Sequence, residues 1–194
     1  MCGVDEVGVG AIAGPVVAGA VVLDPRQEWT LELRDSKALS PKQRADLYAQ
    51  IVQFAPYYAT ATVGPLVIDE KGIAYARLIA MTEAYSRIDR QLIRGTAFGA
   101  VVDGRFLAKH AKRFGGEASL FVDHADARSL SVAAASIIAK VQRDDYMTRL
   151  AEEFPEYGFE DHRGYPSPRH LEVLTRLGPT AFHRRSFGPV ARVS

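Results

Sequence analysis

At 194 residues, 47% of them hydrophobic and only one a cysteine, the chain can bury a full core as a single domain and cannot close an internal disulfide. Its 24 Lys and Arg against 23 Asp and Glu leave a net charge of +1, which excludes a polycation. No apolar run approaches the about 18 residues of a membrane span and no signal-like leader opens the chain, so a soluble, cytoplasmic protein is the expectation; a monomer is expected as well.

The first element is Gly3-Val4-Asp5-Glu6-Val7-Gly8-Val9-Gly10, which continues through Ala11 to Pro15 into Val16-Val17-Ala18-Gly19-Ala20-Val21-Val22-Leu23. It predicts a strand carrying Asp5, a glycine turn, and a second strand from about Pro15 to Leu23. Two adjacent carboxylates in an otherwise uncharged stretch are costly unless a cation holds them, although an ordinary hairpin with two surface acids would leave the same trace. Neighbours on a regular strand point to opposite faces, so a shared site implies a bend, which Gly8 and Gly10 would permit.

Further along, Arg34-Asp35-Ser36-Lys37 reads as a polar loop. Ser40-Pro41 is a helix start, and the helix should run to about Phe54, burying Leu47, Ile51 and Phe54. Tyr57 to Val63 predicts a third strand. Gly64-Pro65 breaks the chain before a short helix through Glu70. Ile73 to Leu92 predicts a longer one, with Leu78, Met81, Tyr85 and Ile88 on its apolar face. Phe98 to Asp103 is an apolar run ending in an acid; Asp103 either serves a site at a strand end or opens a turn with Gly104.

Leu120 to Val122 is the last predicted strand. From Ser129 a long helix runs to about Glu153, its Ala133-Ala134-Ala135-Ser136 segment small enough to pack closely on a sheet. Asp126 lies just before that helix, as a site residue or a partner of the helix dipole. Another helix, Pro168 to about Leu177, leads into a tail rich in Gly and Pro. The basic end, Arg163, Arg169, Arg176, Arg184, Arg185 and Arg192 against Glu172 alone, favours an anionic partner. The pattern is α/β, a mixed sheet flanked by helices.

Asp5, Glu6, Asp103 and Asp126 form a hard-oxygen set that suits Mg²⁺ or Mn²⁺ over Zn²⁺. Two such ions about 4 Å apart can align a water with a phosphodiester, and hydrolysis of that bond is the reaction best supported. His110, His124, His162, His170 and His183 make no zinc-type pair and are expected on the surface or in loops. Nothing marks a general base for Cys2, and Gly8-Val9-Gly10 is no dinucleotide fingerprint because Ala13 stands where the third glycine belongs.

Taken together, Gly3-Val4-Asp5-Glu6-Val7-Gly8, Ala13-Gly14-Pro15-Val16-Val17, Asp35-Ser36-Lys37, Val102-Asp103-Gly104, Asp126-Ala127-Arg128, Ala133 to Val141, Gly164-Tyr165-Pro166 and His183-Arg184-Arg185-Ser186-Phe187 resemble the ordered motifs of bacterial ribonuclease HII. The resemblance covers almost the whole chain. It implies an RNase H-like fold, a mixed five-stranded sheet flanked by helices, in one domain over residues 1–194 with a small helical extension from about 155. It implies metal-dependent cleavage, with Mn²⁺ or Mg²⁺, of the RNA strand in RNA–DNA hybrids. It also implies incision 5′ of a ribonucleotide embedded in duplex DNA, with 3′-hydroxyl and 5′-phosphate products, the first step of ribonucleotide excision repair.

By match of motif, Asp5, Glu6, Asp103 and Asp126 would be the catalytic, metal-binding acids. Tyr165 would stack on the sugar at the RNA–DNA junction, and peptide groups of Gly8, Val9 and Gly10 would bond the 2′-hydroxyl. Ser36, Lys37, Arg128 and Lys140 are candidate phosphate contacts or solvated surface groups, and Arg184 and Arg185 either bind backbone or lock the tail against the sheet. One departure stands out: the family usually has Gly-Arg-Gly where this chain has Gly8-Val9-Gly10. The alternative expectation is therefore a nuclease restricted to hybrids, with weakened recognition of a single ribonucleotide.

Overall fold

The chain's alternation of strand-forming and helix-forming stretches is realised in a computed structural model that describes residues 1–24, 26–91 and 98–193, apart from the side chains of residues 34–38. Five strands, β1 (Cys2–Val7), β2 (Val16–Val22), β3 (Tyr57–Val63), β4 (Ala100–Asp103) and β5 (Leu120–Val122), form one sheet in the order β3-β2-β1-β4-β5. The β1–β2 and β2–β3 pairs are antiparallel, and β1–β4 and β4–β5 are parallel. This is the expected mixed five-stranded sheet. The helices are α1 (Pro41–Phe54), α2 (Pro65–Lys71), α3 (Ile73–Asp89), α4 (Leu130–Glu153), α5 (Phe159–His162), α6 (Pro168–Leu177) and α7 (Gly188–Ala191).

Side-chain alternation along β1 assigns its two faces. Cys2 and Val4 enter a core shared with Ala76, Ala80, Met81 and Ala84 of α3. Gly3 and Asp5 face α4, which presses on the sheet so closely that a Cβ at Gly3 would lie 2.2 Å from the Val132 amide nitrogen, and one at Gly19 would lie 2.2 Å from the Ala135 carbonyl oxygen. The small Ala133–Ala135 run permits that approach. Asp5 pairs with Gly19 across the hairpin, and the β1–β2 ladder runs unbroken from Cys2 to Val7. The expected bend at Asp5 and Glu6 is absent: pairing with β2 stays regular through Val7, and the two acids lie on opposite faces of the strand.

Helix α1 starts as predicted: the Ser40 hydroxyl accepts from the Gln43 amide at 3.3 Å while the Gln43 side chain accepts from the Ser40 amide at 2.9 Å, closing a capping box. Leu47 and Ile51 are buried, but Phe54, the last residue of the helix, is 45% exposed, its ring centroid 6.4 Å from that of Trp29. Glu28–Ala38 is a 3-10 stretch rather than an open loop. The expected end of α3 at Leu92 lies outside the described residues. A second 3-10 stretch, Arg105–Phe114, buries Leu107 and Phe114 and is closed by Gly115 in the left-handed region.

After α4 the chain folds back on the glycine turn. Ala13 bridges His183, the Arg184 amide donates to the Ile12 carbonyl at 2.8 Å, and the Gly164 carbonyl accepts from the Ile12 and Ala13 amides at 2.9 and 3.2 Å. Among the described residues no helix is long and apolar enough to cross a membrane.

Candidate active site

The carboxyl ends of parallel strands β1 and β4 lie side by side, with Val4 opposite Val102, so Asp5 and Asp103 follow one another at adjacent strand ends. Asp5 is buried, accepts from the Glu6 amide at 2.8 Å and lies near Ser136 of α4. Burial, then the charges of Glu6 and Asp103, push its pKa up to about 8. Glu6 points to the α3 face. Its Oε1 accepts from both Nε (2.7 Å) and Nη2 of Arg77, while Oε2 is buried with no partner among the described residues. Its pKa is also raised, chiefly by burial, against the opposing pull of Arg77.

Asp103 builds the next part of the site. Its Oδ1 accepts from the Ala125 amide at 2.6 Å, fixing a turn in which His124 takes a left-handed backbone, φ 57°. That turn carries Asp126 to a cleft of about 180 Å³ lined also by Glu6, Val7, Arg44, Ser136, Ile137 and Lys140. The structure thus brings Asp5, Glu6 and Asp103 into electrostatic contact and places Asp126 and Glu6 on one cleft. Among the described residues, however, no three acids, histidines or cysteines are gathered at metal-ligand spacing. Instead, oxygens of Asp5, Glu6 and Asp103 accept from the Glu6 amide, Arg77 and the Ala125 amide.

The set nonetheless has the chemistry of a hard divalent cation site. Its donors are all oxygens, one buried carboxylate oxygen is orphaned, and burial, then the charges of Glu6 and Asp103, hold Asp5 near pKa 8. A more spacious cavity of about 560 Å³ lies between α3 and residues 98–115 and contains none of the four acids.

The glycine turn is held from beneath by two fully buried arginines, Arg184, one of whose expected roles was to lock the tail, and Arg143, which the sequence did not single out. Arg143 donates from Nε to the Pro15 carbonyl (2.9 Å) and from Nη2 to that of Ala13 (3.2 Å), while Arg184 donates to Gly14 and Val9, both at 3.0 Å. Gly8, at φ +90°, is needed here: a Cβ would stand 2.3 Å from Arg143 Nε. Burial, then repulsion from Arg143, lowers the Arg184 pKa to about 9. Of the basic end, therefore, Arg184 locks the tail against the turn rather than facing a partner. Neither the Val9 nor the Gly10 amide donates to another backbone carbonyl among the described residues.

Tyr165 is brought to the same turn. Gly10 faces its ring, and the Arg143 guanidinium lies 5.3 Å from the ring centroid. Its carbonyl accepts from the Ser167 amide at 2.8 Å and lies 2.8 Å from His170 Nδ1. His170 and His183, expected on the surface or in loops, are buried with Nε2 atoms 3.1 Å apart, His170 on α6 and His183 in the loop after it, because the tail folds inward and gives each ring nitrogen a partner. Burial lowers their pKa values to about 4 and about 3. Cys2 is buried and pushed up to about 12, so it is no nucleophile.

Of the candidate phosphate contacts, Lys140 lines the acid cleft and is paired with Asp144 at 2.6 Å. Arg128 is exposed beside Asp126, at the mouth of a cavity of about 320 Å³. The side chains of Ser36 and Lys37 lie outside the described residues. Arg44, unmarked in the sequence, adds a second cation to the cleft, and it donates to the Leu39 carbonyl at 3.1 Å.

Comparison with known proteins gives a concordant result. The family model described as Ribonuclease HII matches residues 2–190. The chain is 43% identical over 191 residues to the ribonuclease HII of Chlamydia trachomatis serovar D, covering 98% of this chain and 82% of that one. Among solved structures, the ribonuclease H2 of Pyrococcus horikoshii superposes with a TM-score of 0.81 at 30% identity, over 99% of this chain and 95% of that one. Bst ribonuclease HIII in complex with Mn²⁺ shares the fold, with a TM-score of 0.75 at 18% identity, over 99% of this chain and 68% of that one.

Proposed function

This chain belongs to the ribonuclease HII family of endoribonucleases, and from that premise we propose that it hydrolyses the RNA strand of RNA–DNA hybrids and incises duplex DNA 5′ of an embedded ribonucleotide, leaving 3′-hydroxyl and 5′-phosphate ends. The observation that carries the proposal is the joining of Asp5, Glu6 and Asp103 in one electrostatic cluster at adjacent strand ends, with the Asp103-braced turn setting Asp126 on the same cleft. In cells the reaction would open ribonucleotide excision repair, performed by a cytoplasmic monomer. Residues 1–194 would act as one domain, with the helices after about 155 as an extension that delivers Tyr165.

Asp5, Glu6, Asp103 and Asp126 would hold Mn²⁺ or Mg²⁺. Such ions, when bound, supply positive charge that activates a water and stabilises the oxygens entering and leaving phosphorus. The protein's own part is positioning. The Val9 and Gly10 amides would bond the 2′-hydroxyl, and the Tyr165 ring would pack on the neighbouring deoxyribose. Arg143 and Arg184 keep the turn rigid by occupying its carbonyls. Lys140, Arg44 and Arg128 would meet the phosphate backbone, with Ser36 and Lys37 as further contacts. A second reading, cleavage of hybrids alone, is favoured by Val9, which brings no cation to the turn.

Asp103→Asn tests the proposal. The amide oxygen of Asn can keep the bond from Ala125, so the fold should persist while a charged oxygen is lost. Hybrid cleavage in Mn²⁺ should fall at least about a hundredfold with the melting curve little changed. Full activity in that variant would remove Asp103 from the site.

A further inference from the structure

Arg77 was not marked by any sequence motif, yet it makes the most direct contact with the acid cluster. It projects from α3, and both Nε and Nη2 bond one oxygen of Glu6. Its guanidinium lies 4.0 Å from the centroid of the Phe106 ring. Phe106 is itself packed over Gly104, where a Cβ would come within 2.5 Å of the ring. The arginine is therefore pinned between a ring that follows Asp103 and the carboxylate that follows Asp5. With 5% of its side chain exposed, Glu6 has no other cation bonded to it among the described residues.

Such a pair cannot be indifferent to a dication at the same acids. The guanidinium neutralises Glu6 when no metal is present, and the same positive charge opposes a second cation arriving at that carboxylate. We propose that Arg77 is a cationic latch: it holds Glu6 in the metal-free protein and is displaced from that carboxylate when Mn²⁺ or Mg²⁺ binds. The inference rests on the metal-site reading above. Because coupling between two cations at one acid is reciprocal, loosening either one tightens the other.

The test is Mn²⁺ binding followed by electron paramagnetic resonance, with melting curves of the metal-free proteins, for wild type, Arg77→Met, Arg77→Lys and Glu6→Gln. Removing the latch leaves Glu6 buried without its cation, so metal-free Arg77→Met should melt lower, while its Mn²⁺ dissociation constant should fall about tenfold. Arg77→Lys, which keeps the charge, should bind Mn²⁺ within about threefold of wild type and is the variant to rely on should the Met protein not fold. Tighter binding by the Lys variant to the level expected of Met, or weaker binding by Met, would overturn the latch and mark Arg77 as a residue that merely orients Glu6. An unchanged Mn²⁺ constant in Arg77→Met, with only the melting point moved, would make Arg77 structural and likewise overturn it. If wild type binds no Mn²⁺, or Glu6→Gln binds it as wild type does, the underlying assignment of Glu6 as a ligand fails instead.

Discussion

At the scale of single residues, Asp5 shows how the site stores free energy in the absence of a cation. Its folded pKa is raised from 3.8 to about 8, first by burial and then by the Glu6 and Asp103 charges. Between those values the folded protein holds a proton that the unfolded chain has released, so stability falls as pH rises through the window and levels off above about pH 8. The loss has a limiting slope of about 1.4 kcal/mol per pH unit. Asparagine does not titrate and its oxygen can keep the bond from the Glu6 amide. Metal-free Asp5→Asn should therefore match wild type near pH 4 and melt progressively higher than it up to pH 8. Parallel melting curves across that range would show that Asp5 is not held in a charge-starved pocket. Residues of this kind were legible in the sequence only in part. Adjacent acids in an apolar stretch signalled a site, and Arg184 was read as binding backbone or locking the tail, whereas nothing in the sequence singled out Arg77 or Arg143. The bonding partners of Arg77, Arg143 and Arg184 lie 71, 128 and 170 residues away in the chain, which no local pattern carries.

Elements give a different balance. The capping box at Ser40, the β3 span and the α4 start at Ser129 were all readable, because caps and apolar periodicity act locally. The inward-facing His170 and His183 were not, since they depend on the tail docking against residues 12–15, nor were the 3-10 stretches Glu28–Ala38, packed against α1 and α4, and Arg105–Phe114, packed against α3 and β5. The decisive packing between elements is α4 on the β1–β2 hairpin, and glycine is the residue that allows it. Gly19→Ala would place a Cβ 2.2 Å from the Ala135 carbonyl oxygen and 2.8 Å from Ile138 Cγ1, forcing α4 off the strand that pairs with Asp5. Overpacking of this kind should cost about 3 kcal/mol and depress activity with it. Denaturant unfolding that gives wild-type stability for Gly19→Ala would show that the helix can slide without consequence.

For the whole molecule, the sheet order places two strand ends together, α4 closes one face, and the chain beyond α4 returns to clamp the glycine turn and deliver Tyr165 beside it. Recognition and cleavage would then share one scaffold, the turn reading the sugar while the acids two to five residues earlier act on the phosphate. Val9 puts the greatest strain on that account, because the turn must recognise a lone ribonucleotide through peptide groups alone. The measurement that bears on it most directly is product mapping on a DNA duplex containing one ribonucleotide, with a uniform hybrid alongside, in Mg²⁺ and in Mn²⁺. The account predicts metal-dependent cutting of both, with the single-ribonucleotide duplex opened on the 5′ side of the ribose to give 3′-hydroxyl and 5′-phosphate ends. An uncut single-ribonucleotide duplex beside a cleaved hybrid would contradict the proposed recognition, and no cutting of either in either metal would contradict the nuclease assignment of the four acids.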